Sequence, residues 1–434
     1  MDIAMLKTAA VAALALAAAP ASAGARSADR APEPLKGLVL WPDCAKSRPE
    51  LSKAVSLEFS YFLPCDAAVA ELPGGAVKYD WRKFDALLAD IASRGHQAVV
   101  RFRYAYPGEK LGGVKGATAV PGFIKKRRDY KETFAPDPGG DGPTWYPDWS
   151  CKALEDFTLA FYAEVARRYD ADPRMAFVET GFGHWAEYHT SGTKMRPGVN
   201  FPSADFQKRF FALMEKSFKL TPWMVSIDSA MREKKGVSPA PALARKGMAF
   251  GLFDDSFMCE SHEIAGGKGG WNEKNWRAFG PDHWKKAPHG GEISYFKKSD
   301  QKDFLSPGGI HGVKWKDAAA KYHIAFMVAN DAPGGAYATP ARFREASREC
   351  GFRLELGRVR RSRGALAVEV VNRGVAPFYH EGTVSAGRRR AKESIKGILP
   401  GETRLFMVPG AKEGDEIRLV SPKLPRPYPL DGGA

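Results

Sequence analysis

Short apolar runs alternate with amphipathic stretches along most of this chain of 434 residues. Near-continuous apolar character is typical of strands covered on both faces, as in a parallel sheet. The stretches between them carry apolar residues at helical spacing, and one of them ends at Gly95, a favourable helix terminus. The eight predicted strands occupy residues 37–42, 54–62, 96–104, 175–182, 223–229, 248–257, 289–296 and 323–331.

Eight strand–helix units predict an α/β fold of the (β/α)8 TIM barrel type, with a doubly wound open sheet as the alternative. From residue 350 the pattern changes to short polar–apolar alternations separated by turns, which predicts a small all-β sandwich domain. The barrel is then expected over residues 32–349, the sandwich over 350–421 and an extended tail over 422–434. The clearest helices are predicted over residues 80–94, 150–169, 204–218 and 340–349.

The first 23 residues have the pattern of a signal peptide. Lys7 precedes an apolar run over residues 9–19, and small residues at 21–23 supply a cleavage site. The run is shorter than the ~20 apolar residues that span a bilayer, and no later segment is longer. The mature protein is therefore expected in the periplasm or outside the cell, without a transmembrane segment.

The chain is strongly basic, with a net charge of +15. Such a charge favours anionic partners, such as an acidic polysaccharide, nucleic acid or an anionic surface. The basic residues are scattered, however, and no nucleic-acid-binding motif is present. An ordinary solvated surface is the favoured interpretation. No nucleic-acid partner is expected, and an anionic glycan remains open.

Two glutamates lie at strand ends that a barrel would bring together. Glu187 follows the fourth predicted strand, and Glu292 lies within the seventh. Carboxyl ends of barrel strands face one pocket, and glycosidic hydrolysis needs two carboxyl groups. We therefore interpret Glu187 and Glu292 as the catalytic pair of a glycoside hydrolase. The structural alternative for Glu292 is an ion pair with Arg101 or Arg103 inside the barrel.

Further residues at strand ends are candidates for binding a sugar. Trp185 offers a flat ring beside Glu187, and His189, Asp228 and Asn330 offer polar groups for hydroxyls. Arg101 and Arg103 alternate with Phe102 in the third strand, so one of these two arginines is expected to point inward, and Arg101 is the candidate. An inward arginine is expected to hold the nucleophile ionised by lowering its pKa.

Several motifs resemble clan A glycoside hydrolases. Residues 71–94 (ELPGGAVKYDWRKFDALLADIASR) and 98–102 (AVVRF) resemble the early part of that clan. The run GFGHWAEYH at 181–189 is similar to the Trp-Gly-Glu-Trp-His motif of a poorly characterised group of secreted bacterial barrel proteins. GGEI at 290–293 and NRGVAPFY at 372–379 resemble further signatures of that group.

The resemblance implies an acid/base at the end of strand four and a nucleophile on strand seven. By position these are Glu187 and Glu292. Clan members usually carry Asn directly before the acid/base, whereas this chain has Ala186 there. Glu179, inside strand four, therefore stays open as an alternative acid.

Other chemistries find no motif in the chain. It has no G-x-S-x-G, H-E-x-x-H or phosphate-binding loop. Acidic residues at 254, 255, 260 and 263 have a spacing that matches no known cation loop, so we predict neither a metal ion nor another cofactor. The sequence leaves two alternatives to a hydrolase, namely a non-catalytic carbohydrate-binding protein of the cell envelope and a polysaccharide lyase.

Overall fold

The eight apolar runs form one closed parallel barrel, which confirms the predicted fold. Each strand pairs with its neighbours in the chain, and the last strand closes the barrel by pairing Phe326 with Gly37 of the first. The barrel strands are β1 (Gly37–Leu40), β2 (Leu57–Phe62), β3 (Gln97–Phe102), β4 (Met175–Thr180), β5 (Trp223–Ser226), β6 (Gly251–Phe257), β7 (His289–Ile293) and β8 (Phe326–Val328).

This computed structural model describes residues 32–137, 140–263, 270–329 and 334–432. The predicted signal peptide lies outside the described residues, and so does Asn330, one of the predicted sugar-binding residues. Among the described residues no helix is long and apolar enough to cross a membrane.

The clearest predicted helices are confirmed, with ends that differ by two residues or fewer. They are Arg82–Ser93, Lys152–Tyr169, Ala204–Ser217 and Pro340–Glu349. Each buries an apolar face against the outside of the barrel, as Phe206, Phe210 and Met214 do in the third. The remaining described helices are Pro42–Ser47, Pro49–Ser52, Pro64–Ala67, Gly122–Lys125, Ser229–Glu233, Ala240–Arg245, Glu260–Glu263, Trp271–Ala278, Lys298–Asp303 and Trp315–Lys321, with a 3-10 turn at His283–Lys285.

The barrel interior changes from apolar to charged along its axis. Alternate residues of a strand face the same side, so Val99 and Arg101 of β3 both point inward, as do Phe177 and Glu179 of β4. Val99 and Phe177 belong to one buried apolar cluster with Phe59, Phe253 and Phe326. One layer further along, the register pairs Glu179 with Arg101. The apolar layer is thus a floor beneath a charged one.

The long insert between β3 and the next barrel helix folds on the carboxyl-terminal side of the barrel. Its strands form two hairpins, Lys110–Leu111 with Val114–Lys115 and Thr133–Ala135 with Thr144–Tyr146. Tyr146 and Trp149 are buried, and the Tyr146 hydroxyl lies 2.9 Å from His184 Nδ1. These two aromatics therefore fix the insert to the loop after β4. A third hairpin, Ala68–Glu71 with Val77–Tyr79, follows β2.

The residues after the barrel form two four-stranded sheets. One has the order β13-β10-β9-β16 and the other the order β12-β11-β14-β15. The segment expected as a tail is extended, and it adds one short strand to each sheet. The bounds are β9 (Leu354–Ser362), β10 (Ala365–Asn372), β11 (Thr383–Ala386), β12 (Arg389–Arg390), β13 (Thr403–Pro409), β14 (Ile417–Val420), β15 (Tyr428–Pro429) and β16 (Asp431–Gly432).

Candidate active site

A buried guanidinium group, that of Arg101, stands at the centre of the charged layer. Glu179 accepts a hydrogen bond from Arg101 Nε at 2.7 Å, and the same oxygen lies 2.6 Å from Nη2. The guanidinium carbon also lies 4.3 Å from the centre of the Phe253 ring, which forms part of the apolar floor. Arg101 therefore points inward, as its position in β3 predicts.

Both predicted catalytic glutamates converge on this guanidinium. Glu292 Oε1 lies 2.8 Å from Arg101 Nη2, and Glu187 Oε1 lies 3.5 Å from Nη1. Glu187 is 2% exposed and Glu292 is 5% exposed. The two glutamates that the strand-end rule paired therefore lie close together in the structure. The ion pair of Glu292 with Arg101, which was the structural alternative, is also present.

The pKa of Glu292 differs from the expectation. The sequence predicts that Arg101 lowers it, but burial raises the pKa of Glu292 to about 7. Arg101 opposes this rise, whereas the negative charges of Glu179 and Asp255 add to it. Arg101 thus lowers the pKa of Glu292 as predicted, but burial, which sequence spacing does not reveal, outweighs this effect.

The other carboxyl groups of the layer are held toward their neutral forms as well. Burial raises the pKa of Glu187 well above its usual range, and the nearby carboxyl of Asp255 raises it further through charge and a hydrogen bond. Burial also raises the pKa of Glu179, against the opposing charge of Arg101. Burial and the neighbouring carboxyl therefore act in the same direction on the pKa of Glu187.

Glu187 faces a second group of polar side chains with its other oxygen. Oε2 lies 2.9 Å from His189 Nε2. Asp228, at the end of β5, and Asp255, within β6, approach from the neighbouring strands. One potential ligand atom from each of Glu187, His189, Asp228 and Asp255 lies within 4.8 Å of the others. The predicted residues His189 and Asp228 are therefore close to Glu187.

The loop after β4 is folded tightly enough to need its glycines. A Cβ atom at Gly181 would lie 1.6 Å from the Ala186 carbonyl oxygen, and one at Gly183 would lie 2.1 Å from that of His189. Trp185 and Ala186 both adopt positive φ angles, 50° and 64°, which non-glycine residues rarely do. This backbone turns Glu187 back toward the barrel axis, and Trp185 packs against the ring of His184, 4.3 Å away.

A cavity of about 490 Å³ opens beside the charged layer. Trp41, Tyr61, Arg103 and Tyr106 are among its lining residues, whereas Glu187 and Glu292 are not. Tyr61 connects the two regions, because its hydroxyl lies 3.5 Å from Arg101 Nη1. The cavity therefore presents aromatic and charged side chains to solvent next to the two glutamates.

Two aromatic contributors were not among the predicted site residues. The Tyr61 hydroxyl lies near Arg101. Tyr295 follows Glu292 by three residues and makes a hydrogen bond that lowers the pKa of Glu292. Both lie at or just beyond the carboxyl end of a barrel strand. The rule that identified the glutamates would have found them had it been applied to tyrosines.

Comparison with known proteins supports no family assignment from sequence. No family model matches the chain, and no curated protein matches it. Among solved structures, the catalytic domain of a β-amylase from Paenibacillus polymyxa is similar, with 10% identity and a TM-score of 0.42 over 72% of this chain and 98% of that one. Endo-glycoceramidase II from Rhodococcus sp. has 11% identity and a TM-score of 0.42, over 90% and 97% of the two chains.

A xylanase from Thermoanaerobacterium saccharolyticum is also similar, with 9% identity and a TM-score of 0.39 over 71% of this chain and 94% of that one. These neighbours are glycoside hydrolases by name. At such identities and TM-scores the likeness carries no conclusion about the substrate or mechanism of this chain. The more specific resemblance, to the secreted bacterial group, stays a prediction.

Proposed function

We propose that this protein is an exported glycoside hydrolase that retains anomeric configuration. The observation that carries the proposal is the convergence of Glu187 and Glu292 on one guanidinium. Retaining hydrolysis needs an acid/base and a nucleophile about 5 Å apart on either side of the scissile bond. Export follows from the signal-peptide pattern and is part of the proposal.

The surplus of carboxyl groups argues against a purely structural role for the pair. Glu179 already accepts a hydrogen bond from Arg101 Nε and forms an ion pair with Nη2, so one carboxylate balances the charge of the arginine. Glu187 and Glu292 add two more buried carboxyls to the same cation. Crowding buried acids in this way destabilises a protein, because each ion must be removed from water. Such a cost is typical of sites kept for chemistry.

The two glutamates occupy different surroundings that suit different roles. Glu292 lies closer to Arg101 and receives a hydrogen bond from Tyr295, and both contacts favour an ionised nucleophile. Burial and the neighbouring Asp255 carboxyl raise the pKa of Glu187, which suits a group that must protonate the leaving oxygen. We assign Glu292 as the nucleophile and Glu187 as the acid/base, with Arg101 as a positioning residue.

The substrate class follows from the charge of the layer and the character of the adjacent cavity. The layer is rich in acidic residues, although the whole chain is basic, and its members are Glu179, Glu187, Asp228, Asp255 and Glu292. Arg101 already pairs with three of these carboxyl groups, so it is not available to bind the charge of an acidic sugar. We therefore propose a neutral glycan, with the aromatic rings that line the cavity offering stacking surfaces for neighbouring sugar units.

A second candidate function has its own observation. The low exposure of both glutamates and their contact with Arg101 suit a protein that binds a glycan at the cavity without cleaving it. A lyase acting on an anionic polymer is less compatible with the acidic layer. It would release unsaturated products that absorb in the ultraviolet.

The decisive experiment is a screen of neutral oligosaccharides and aryl glycosides with the exported form of the protein. We expect turnover, and we expect the first product to retain the anomeric configuration of the substrate. Nuclear magnetic resonance of that product measures its configuration. Glu292→Gln should lower kcat by roughly 10⁴-fold or more, since the loss of a nucleophile removes a complete step. Circular dichroism and thermal melting should show that the variant remains folded.

Glu345→Gln is the matched control, because it makes the same chemical change on an outer helix where the side chain is 65% exposed. It should leave turnover unchanged. An inverted product would refute the retaining mechanism. Glycan binding without turnover in the wild type would instead support the second candidate.

A further inference from the structure

Four side chains from three successive strand ends form a compact set of potential metal ligands. Glu187 and His189 follow β4, Asp228 follows β5 and Asp255 belongs to β6. One carboxylate oxygen or ring nitrogen from each lies within 4.8 Å of the others. Atoms bound to one zinc or manganese ion, about 2.0–2.2 Å from it, lie within about 4 Å of each other. The set therefore needs only a small inward movement to enclose a cation.

Asp228 supplies independent evidence for a missing partner. Its side chain is 4% exposed, and its Oδ1 atom has no hydrogen-bond partner among the described residues. Buried carboxylate oxygens are nearly always bonded to a donor or a metal, because an unpaired one carries the full cost of its lost hydration. The Asp228 carboxylate lies beside three other potential ligand atoms, and this arrangement indicates a binding site for a cation.

We propose that Glu187, His189, Asp228 and Asp255 bind one divalent transition-metal cation. The donor set argues for zinc or manganese rather than calcium. An imidazole nitrogen suits zinc and related ions, and carboxylates suit manganese, whereas calcium prefers six to eight oxygen ligands. This site goes beyond glycoside hydrolysis and does not depend on it.

Glu187 links the cation site to the proposed catalytic pair. Its Oε1 atom faces Arg101 at 3.5 Å, and its Oε2 atom faces His189 at 2.9 Å. The cation site and the proposed catalytic pair therefore share the Glu187 carboxyl group.

Binding is tested on untagged full-length protein treated with a chelator and then dialysed. Isothermal titration with ZnCl₂, and separately with MnCl₂, should give one site per chain, and CaCl₂ should bind far more weakly. Asp228→Asn and His189→Gln should each weaken the binding of zinc or manganese by about tenfold or more, since even outer-shell changes cost ~10–100-fold. Glu345→Gln should bind as the wild type does. Thermal melting establishes that each variant is folded.

Glu292→Gln separates the two proposals, because Glu292 is not a member of the ligand set. It should retain the cation while losing turnover. The cation proposal is overturned if neither zinc nor manganese binds, or if both Asp228→Asn and His189→Gln bind them as tightly as the wild type. Cation binding in a protein without any glycosidase activity would uphold this site and reject only the hydrolase.

Discussion

Lys423 and Gln97, two buried polar residues at the amino-terminal end of the barrel, are paired more fully than the carboxyl groups at the other end. At the amino-terminal end, the Lys423 side chain enters from the C-terminal sheets and is fully buried. Its Nζ atom donates to the Asp170 and Asp172 carbonyls at 3.0 and 2.6 Å, and it lies 2.7 Å from Thr221 Oγ1. Gln97 beside it is also satisfied, because it donates to two carbonyls and accepts from the Leu35 amide.

The carboxyl-terminal end has the reverse balance. Arg101 serves Glu179, Glu187 and Glu292 at once, and one oxygen each of Glu179 and Asp228 is buried without a hydrogen-bond partner in the described part of the chain. The amino-terminal end thus fastens the barrel to the C-terminal sheets, whereas the carboxyl-terminal end keeps acids that cost stability. This contrast separates the residues that hold the fold from those for which we propose a chemical role.

Lys423→Met should give the largest effect on stability. The change removes three hydrogen bonds made by Nζ, and hydrogen bonds of this kind contribute about 0.5–3 kcal/mol each. We expect the free energy of unfolding to fall by roughly 3 kcal/mol, because the methionine side chain recovers part of the loss through its packing. Urea denaturation measures this change. Turnover of the folded fraction should stay within about twofold, since the site lies at the other end of the barrel.

Lys392→Met is the matched control, because Lys392 is exposed on the same C-terminal sheets. Its stability should change by less than about 0.5 kcal/mol. If Lys423→Met were as stable as this control, the assignment of the amino-terminal end to fold stability would be wrong.

The pH dependence of turnover tests the carboxyl-terminal end of the barrel, where Glu292 lies. A nucleophile must be ionised, so kcat/KM should fall as the pH drops below the pKa of Glu292, about 7. Glu179→Gln removes a neighbouring negative charge and releases Arg101 for Glu292, and both changes favour the ionised form. The acidic limb of the profile should therefore move to lower pH.

A shift of that limb to higher pH, or none at all, would contradict the shared use of Arg101.

The pH dependence of stability gives an independent check of the direction in which the pKa of Glu292 is shifted. A native pKa above the unfolded value means that stability contributed by Glu292 is present at low pH and is lost as the pH rises from about 4.3 to about 7. Glu292→Gln should reduce this loss.

The barrel could be predicted because each of its strands is a continuous run of apolar residues in the sequence. Continuous apolar runs gave all eight strands, and the strand-end rule then brought Glu187 and Glu292 together without a sequence motif. The pattern of residues 340–349 predicted its helix to the residue. These successes have one cause, since burial on both faces and helical periodicity are properties of neighbouring residues.

The balance of charges could not be predicted in the same way. Arg101 looked like a cation reserved for the nucleophile, but the register of β3 and β4 places Glu179 directly beside it. Asp255 looked like one member of an acidic group near residue 260, yet it approaches Glu187 from a strand two positions along the barrel. A pKa or a ligand set depends on which side chains meet in space, and no spacing in the sequence records that.

The smallest predicted effect concerns the strained loop that carries Glu187. Ala186 is fully buried and has a φ of 64°, a conformation that costs non-glycine residues about 1–2 kcal/mol. Ala186→Gly relieves this strain, but it loses a buried methyl group worth about 0.8 kcal/mol and adds freedom to the unfolded chain. These terms nearly cancel, so we expect the free energy of unfolding to change by less than about 0.5 kcal/mol.

Ala160→Gly is the control for Ala186→Gly. Ala160 is an exposed residue of the helix Lys152–Tyr169. Glycine there should cost about 1 kcal/mol, since a helix interior gains nothing from its freedom. Urea denaturation of both variants measures the difference. If Ala186→Gly cost as much as Ala160→Gly, the left-handed backbone would store no strain. A further outcome is that the stabilities differ as expected while turnover still falls in Ala186→Gly. That result would show that the strained backbone holds Glu187 in place, because a more flexible loop would position the Glu187 carboxyl less firmly.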